Sequence, residues 1–191
     1  MGNKGILRLT MRSAARTRFN TMLQRGFYLT GRSGMTVREF LREVVGYDDA
    51  RIDGEVRTVF LNSSPMDGLD ETHVQDGDRL ALGSAMPGLV GICMGRDNPY
   101  KEFRESLALE REDDGEADAP AKVFVKIFSV LAVDTGADIL ERGIEADREV
   151  LGALLEGEKE HIVPEGERSP EEVIAAVKEG PGPLPVTVRF V

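Results

Sequence analysis

Sulfur and the residues that anchor metals are scarce in this chain. A single cysteine, Cys93, excludes an intrachain disulfide and suits a reducing compartment, so a cytoplasmic location is expected. Only two histidines occur, His73 and His161; they lie far apart without a cysteine pair, so no zinc site is read. No apolar run approaches 18 residues, which argues against a membrane span. The basic N-terminus has no apolar core of the secretory type, and Met1-Gly2-Asn3-Lys4-Gly5-Ile6 lacks the Ser or Thr of a myristoylation site. Neither Gly-x-x-x-x-Gly-Lys-Ser/Thr nor Gly-x-Gly-x-x-Gly is found, so no phosphate-cradling loop is expected. Gly83-Ser84-Ala85-Met86-Pro87 does not fit the Gly-x-Ser-x-Gly turn that exposes a nucleophilic serine. No metal, cofactor or catalytic residue is assigned.

What is present is an ordinary globular composition, 41% apolar and 30% charged in 191 residues. A chain of that length buries roughly 70% of its unfolded surface without a staple. The net charge of −10 is unevenly spread: residues 1–104 hold 15 Lys+Arg against 13 Asp+Glu, residues 105–191 hold 9 against 21. Residues 1–37 contain Lys4, Arg8, Arg12, Arg16, Arg18, Arg25 and Arg32 and no acid at all. Such a segment suits an acidic partner or the chain's own acidic half, within a monomer or across a homo-oligomer. Nucleic acid is disfavoured, because the whole chain is acidic and phosphates repel it. Arg12, Arg16 and Arg18 are the expected contributors to partner binding.

Periodicity places elements along the chain. Residues 5–12 alternate as a half-buried strand, and a second strand is expected near residues 26–30. Thr36 with Glu39 forms a capping box ahead of Val37, Phe40, Leu41 and Val44, one apolar helix face. Strands are expected at residues 56–61 and 79–82, the second opened by the turn Asp76-Gly77-Asp78. Residues 110–119 hold six acids and one base, and they read as a linker. Residues 123–131 read as a central strand. Asp147 caps one further helix, Ser169-Pro170-Glu171-Glu172 starts another, and Val186, Val188 and Phe190 alternate in a last strand.

The capped helix at Thr36, the strand Val59-Phe60-Leu61-Asn62, the Asp76-Gly77-Asp78 turn and the run Pro87-Gly88-Leu89-Val90-Gly91 come in a fixed order. Over residues 4–91 that order resembles the MoaD/ThiS family, the small subunit of molybdopterin synthase and the sulfur carrier of thiamine synthesis. The resemblance implies a ubiquitin-like β-grasp domain, with the strand at Ile6 parallel beside the strand at Leu80. The expected architecture is α+β: a β-grasp domain over 1–97, a bridging helix and acidic linker over 98–120, and a smaller α+β domain over 121–191. In that family the tail ends in diglycine and its terminal carboxylate is activated. Here Val90-Gly91 occupies the tail position, but the sequence continues for 100 residues. A non-enzymatic binding or adaptor protein with a protein partner is therefore the leading expectation. A sulfur carrier freed by proteolysis after Gly91 is the first alternative, and an enzyme using Cys93 as nucleophile the second.

Overall fold

The computed structural model of the protein describes residues 5–84, 94–96, 118–164, 166 and 168–191. Those residues form nine strands and six helices of a mixed α/β fold. The chain divides into two compact units, residues 1–28 with 133–191 and residues 29–132.

The first unit begins with strand β1 (Leu7–Met11), which buries Leu9 and Met11 and exposes Arg8. A 3-10 turn at Ser13–Ala15 leads into helix α1 (Arg16–Arg25). Ala15, Phe19, Met22 and Leu23 are buried along it, at the spacing of one helical face. Strand β2 (Phe27–Arg32) gives its first two residues to this unit. Helix α4 (Ser129–Arg142), entering this unit at Val133, then precedes strand β7 (Ile144–Ala146) and helix α5 (Arg148–Gly157). Strand β8 (Ile162–Val163), helix α6 (Pro170–Lys178) and strand β9 (Leu184–Phe190) complete the unit. Asp147 accepts hydrogen bonds from the backbone N–H groups of Glu149 and Val150, and Ser169 with Glu172 closes a capping box over Pro170. Both caps satisfy amides that a helix start leaves without partners.

Strands of the first unit run β2-β7-β9-β1-β8. The long ladder is parallel, from Leu7 opposite Val186 to Met11 opposite Phe190. β8 pairs antiparallel with β1 through Thr10–Val163 and Met11–Ile162 alone. Gly136 lets α4 pass close to α1: a Cβ there would stand 2.8 Å from Leu23 Cδ1 and 2.9 Å from Asn20 Oδ1.

In the second unit, the rest of β2 is followed by helix α2 (Val37–Glu39), which continues as the π-helical turn Phe40–Val45. Helix α3 (Asp49–Gly54) and strands β3 (Thr58–Leu61), β4 (Ser64–Pro65), β5 (Arg79–Gly83) and β6 (Pro120–Phe128) follow. Their order in the sheet is β4-β3-β5-β6-β2. Phe40 and Leu41 are fully buried. Gly31 of β2 lies beneath the Phe40 ring, where a Cβ would come within 2.9 Å of Met35 Sδ and of Phe40 Cδ2. Thr36 caps α2 as expected, its hydroxyl accepting from Glu39 N and the Glu39 carboxylate accepting from Thr36 N.

Two expectations are corrected. The neighbour of Leu80 is not the strand at Ile6: β5 runs parallel to β6, with Leu80 opposite Val125, while β1 pairs with β9. The cause is the Asp76-Gly77-Asp78 turn, which grips the start of β6. Gly77 N donates to Lys122 O at 3.0 Å, Lys122 N to Asp76 Oδ1 at 2.8 Å, and Phe124 N to Asp78 O at 2.8 Å. Residues 123–131 are not one strand, because β6 ends at Phe128 and Ser129, at φ 60°, turns the chain into α4. β6 buries Ala121, Val123, Val125 and Ile127 and leaves Lys122, Phe124 and Lys126 half-buried. The two units meet in sequence at residues 28 and 132.

Candidate binding surface

The three arginines expected to meet a partner cluster at the start of α1. β1 ends at Met11, and Arg12 is extended; its N–H donates to His161 O at 2.8 Å and Ser13 N to Val191 O at 2.8 Å. The chain is thus tied between the 158–161 turn and the end of β9 before it enters α1. Arg16 Nη2 donates to Val133 O at 3.4 Å. Arg18 Nε lies 3.2 Å from Glu158 Oε1. Glu158 also lies 3.7 Å from His161 Nε2, as does Glu160 Oε1.

The basic start and the acidic end of the chain therefore meet inside the first unit. Arg18 is largely exposed and Glu158 half-buried, and a pair so open to solvent on one side contributes about 1 kcal/mol or less. Its value lies in orienting the helix start rather than in stability. α1 has no acid in its first turn and no side-chain cap, so its N-terminus adds to the local positive field. The arrangement can attract carboxylates; by itself it supplies no pocket for one.

The second unit carries a different polar assembly. Asp78, buried, accepts from Gln75 N at 2.8 Å and from Asn62 Nδ2 at 2.9 Å, while Asn62 Oδ1 accepts from Arg79 N at 2.9 Å. Asn62 and Ser63 both have positive φ, 51° and 72°, the conformation of a tight β3–β4 hairpin in which asparagine is favoured. Arg38 sits 3.0 Å from Asp53 and 2.8 Å from Asp70. Burial works against its charge, but hydrogen bonds to those carboxylates outweigh it and hold the guanidinium above its ordinary pKa. Arg96, buried, donates to the carbonyls of Ile52 at 3.1 Å and Val56 at 3.0 Å, and so fastens residues 94–96 to the end of α3. These groups organise the fold.

His73 forms an isolated bridge with Thr36 in the second unit, whereas His161 belongs to the first. No group of three or more His, Cys, Asp or Glu side chains placed to hold a metal occurs among the described residues. Val90, Gly91 and Cys93, the expected tail and the alternative nucleophile, lie outside the described residues. No described helix is long and apolar enough to cross a membrane. No protein-family model, curated protein or solved structure matches this chain.

Sequence reasoning missed Arg96 and the Asp78–Asn62 contact. The signal for the second was present: Asn62-Ser63 after an apolar run, with Asp76-Gly77-Asp78 ahead of another, marks two turns. That the two turns bond to one another depends on β3 and β5 being neighbours.

Proposed function

We propose that the chain is a non-enzymatic binding or adaptor protein built on a sulfur-carrier-like β-grasp unit, residues 29–132. The observation that carries this reading is the placement of β6. In a β-grasp the first strand lies parallel beside the last, with the second strand on its other side. In the second unit β6 takes that first-strand position, between β5 and β2, although it comes last in sequence. The order supports a β-grasp whose first strand has been moved to the end of the chain.

This permutation bears on carrier chemistry. A carrier needs a free tail after the strand equivalent to β5. Here residues 85–119 join β5 to β6, and both strands are held in one ladder from Arg79–Phe124 to Gly83–Phe128. With both strands held, the stretch between them offers no chain end to thread into an activating enzyme unless the chain is cut. Partner recognition falls to the surfaces of the two units, with Arg12, Arg16 and Arg18 as the cationic element.

The test is the intact mass of the protein purified from its native host, with its associated proteins retained. A chain that retains both units, in stoichiometric complex with another protein, is expected. A product ending at Gly91, with or without an added sulfur, would overturn the adaptor reading and establish the processed carrier.

A further inference from the structure

The sheet of the first unit stops short on one side. β8 covers Thr10 and Met11 of β1 and no more; among the described residues, Leu7, Arg8 and Leu9 have no strand opposite them on that edge. Pro164 follows Val163 immediately. Proline has no N–H to offer a ladder, so β8 cannot lengthen in that direction. β1 itself is regular there, because β9 holds Leu7, Arg8 and Leu9 from the other side.

The missing length of strand is replaced by a groove. It is lined by Gly5–Thr10, by Ile162 and Val163 at its closed end, and by Val173, Ala176 and Leu184, and it encloses about 590 Å³. Ile6, beside it, is 61% exposed. Among the described residues two charged side chains line the groove, Arg8 and Arg168, and both are cationic. A straight strand edge, an apolar wall and, among the described lining residues, two positive charges and no acid define one kind of occupant.

We infer that this groove binds an extended acidic peptide segment of a partner protein, which adds to the sheet in line with β8 and antiparallel to β1. Its main chain bonds the edge at Leu7–Leu9. Its apolar side chains pack toward Val173, Ala176 and Leu184, and its carboxylates meet Arg8 and Arg168. Every residue of the groove belongs to the first unit, so the inference stands apart from the β-grasp reading of residues 29–132, and failure of either leaves the other intact.

The experiment uses the full chain and three labelled probes: a short peptide of alternating valine and glutamate, its valine–lysine counterpart, and the acidic peptide N-methylated at alternate residues. Fluorescence anisotropy should show saturable binding of the acidic peptide at least tenfold tighter than of the basic one. N-methylation keeps charge and side chains but removes main-chain donors, and it should abolish binding. Arg8→Glu with Arg168→Glu should weaken the acidic peptide at least tenfold. An unchanged circular-dichroism melt shows that the double variant remains folded. If the double variant does not fold, slowed amide exchange at Leu7–Leu9 of the wild-type chain on adding the acidic peptide gives the same answer. Equal binding of acidic and basic peptides, equal binding after N-methylation, or no binding to the wild-type chain would overturn the proposal.

Discussion

The two units reach similar sheets by opposite routes. Residues 29–132 are continuous in sequence, and their central pair, β5 and β6, is locked by backbone and carboxylate contacts of a single turn. The first unit is built from both flanks of that segment, and its central pair joins β1 to β9, nearly the whole chain apart. Closing the second pair costs only about 1 kcal/mol more chain entropy, because that cost grows with the logarithm of loop length, but its contacts are far more distant in sequence and so form later. Charge differs as well: the first unit holds 12 Lys+Arg against 14 Asp+Glu, the second 12 against 20. Near-balance in the first unit follows from bringing the acid-free start of the chain to its acidic end. Two units in one polypeptide can thus differ in folding order and in field without differing in the kind of structure they form.

The largest expected effect breaks the comparison directly. A chain ended at Gly182 lacks β9 and with it the partner of β1. Amide exchange should show Leu9 and Met11 losing protection entirely, while Val59, Leu80 and Val125 keep theirs. Simultaneous loss in both sets would mean that the units fold as one. Next comes Phe40→Ala in the second unit, which should cost roughly 3 to 5 kcal/mol in urea unfolding, through lost burial and a cavity above Gly31; a loss under about 1 kcal/mol would contradict the packing of α2.

Smaller effects probe the polar contacts. Asp78→Ala removes the acceptor for Gln75 N and Asn62 Nδ2 and should cost about 1 to 3 kcal/mol, again by urea unfolding. Thr36→Ala and Ser169→Ala remove one capping box from each unit and should each cost about 1 kcal/mol. The first cap is also pH-linked. The Thr36 backbone N–H bonds Glu39 and holds its carboxyl below the usual carboxylate range. Its contribution is present above the ordinary glutamate pKa and fades as pH falls through the lowered value, so Glu39→Gln should flatten the acid limb of the stability curve. Smallest is Arg18→Ala: the pair of this exposed arginine with Glu158 should be worth under about 1 kcal/mol, and the difference should shrink in high salt.

How much of this was legible in sequence depends on what each element needed. α2, α5 and α6 announce themselves through side-chain caps, and β9 through strict alternation, so local reading sufficed. α1 did not, although Ala15, Phe19, Met22 and Leu23 carry the helical spacing, because no capping residue marks its start and its first turn is cationic. The register of β5 with β6 was beyond local reading. Alternation says which side chains are buried, and says nothing of which strand lies alongside; that choice rests on hydrogen bonds between the 76–78 turn and residues 122–124. Arg12, Arg16 and Arg18 were found together because they are neighbours in sequence. The β1 groove was not found, since it consists of a length mismatch between two strands about 150 residues apart, and Pro164 alone does not reveal which edge it leaves bare.

The entry and exit of the second unit bear on its history. The chain enters by β2 and leaves by β6, which are neighbours in the sheet; the end of one meets the start of the other where Ser33 N donates to Ala119 O and Asp118 N to Ser33 O. A segment whose two ends leave along adjacent strands can be gained, lost or exchanged between genes with little disturbance to its host. In this protein residues 29–132 have such a pair of ends, and so meet the geometric condition for a segment spliced into the middle of another polypeptide.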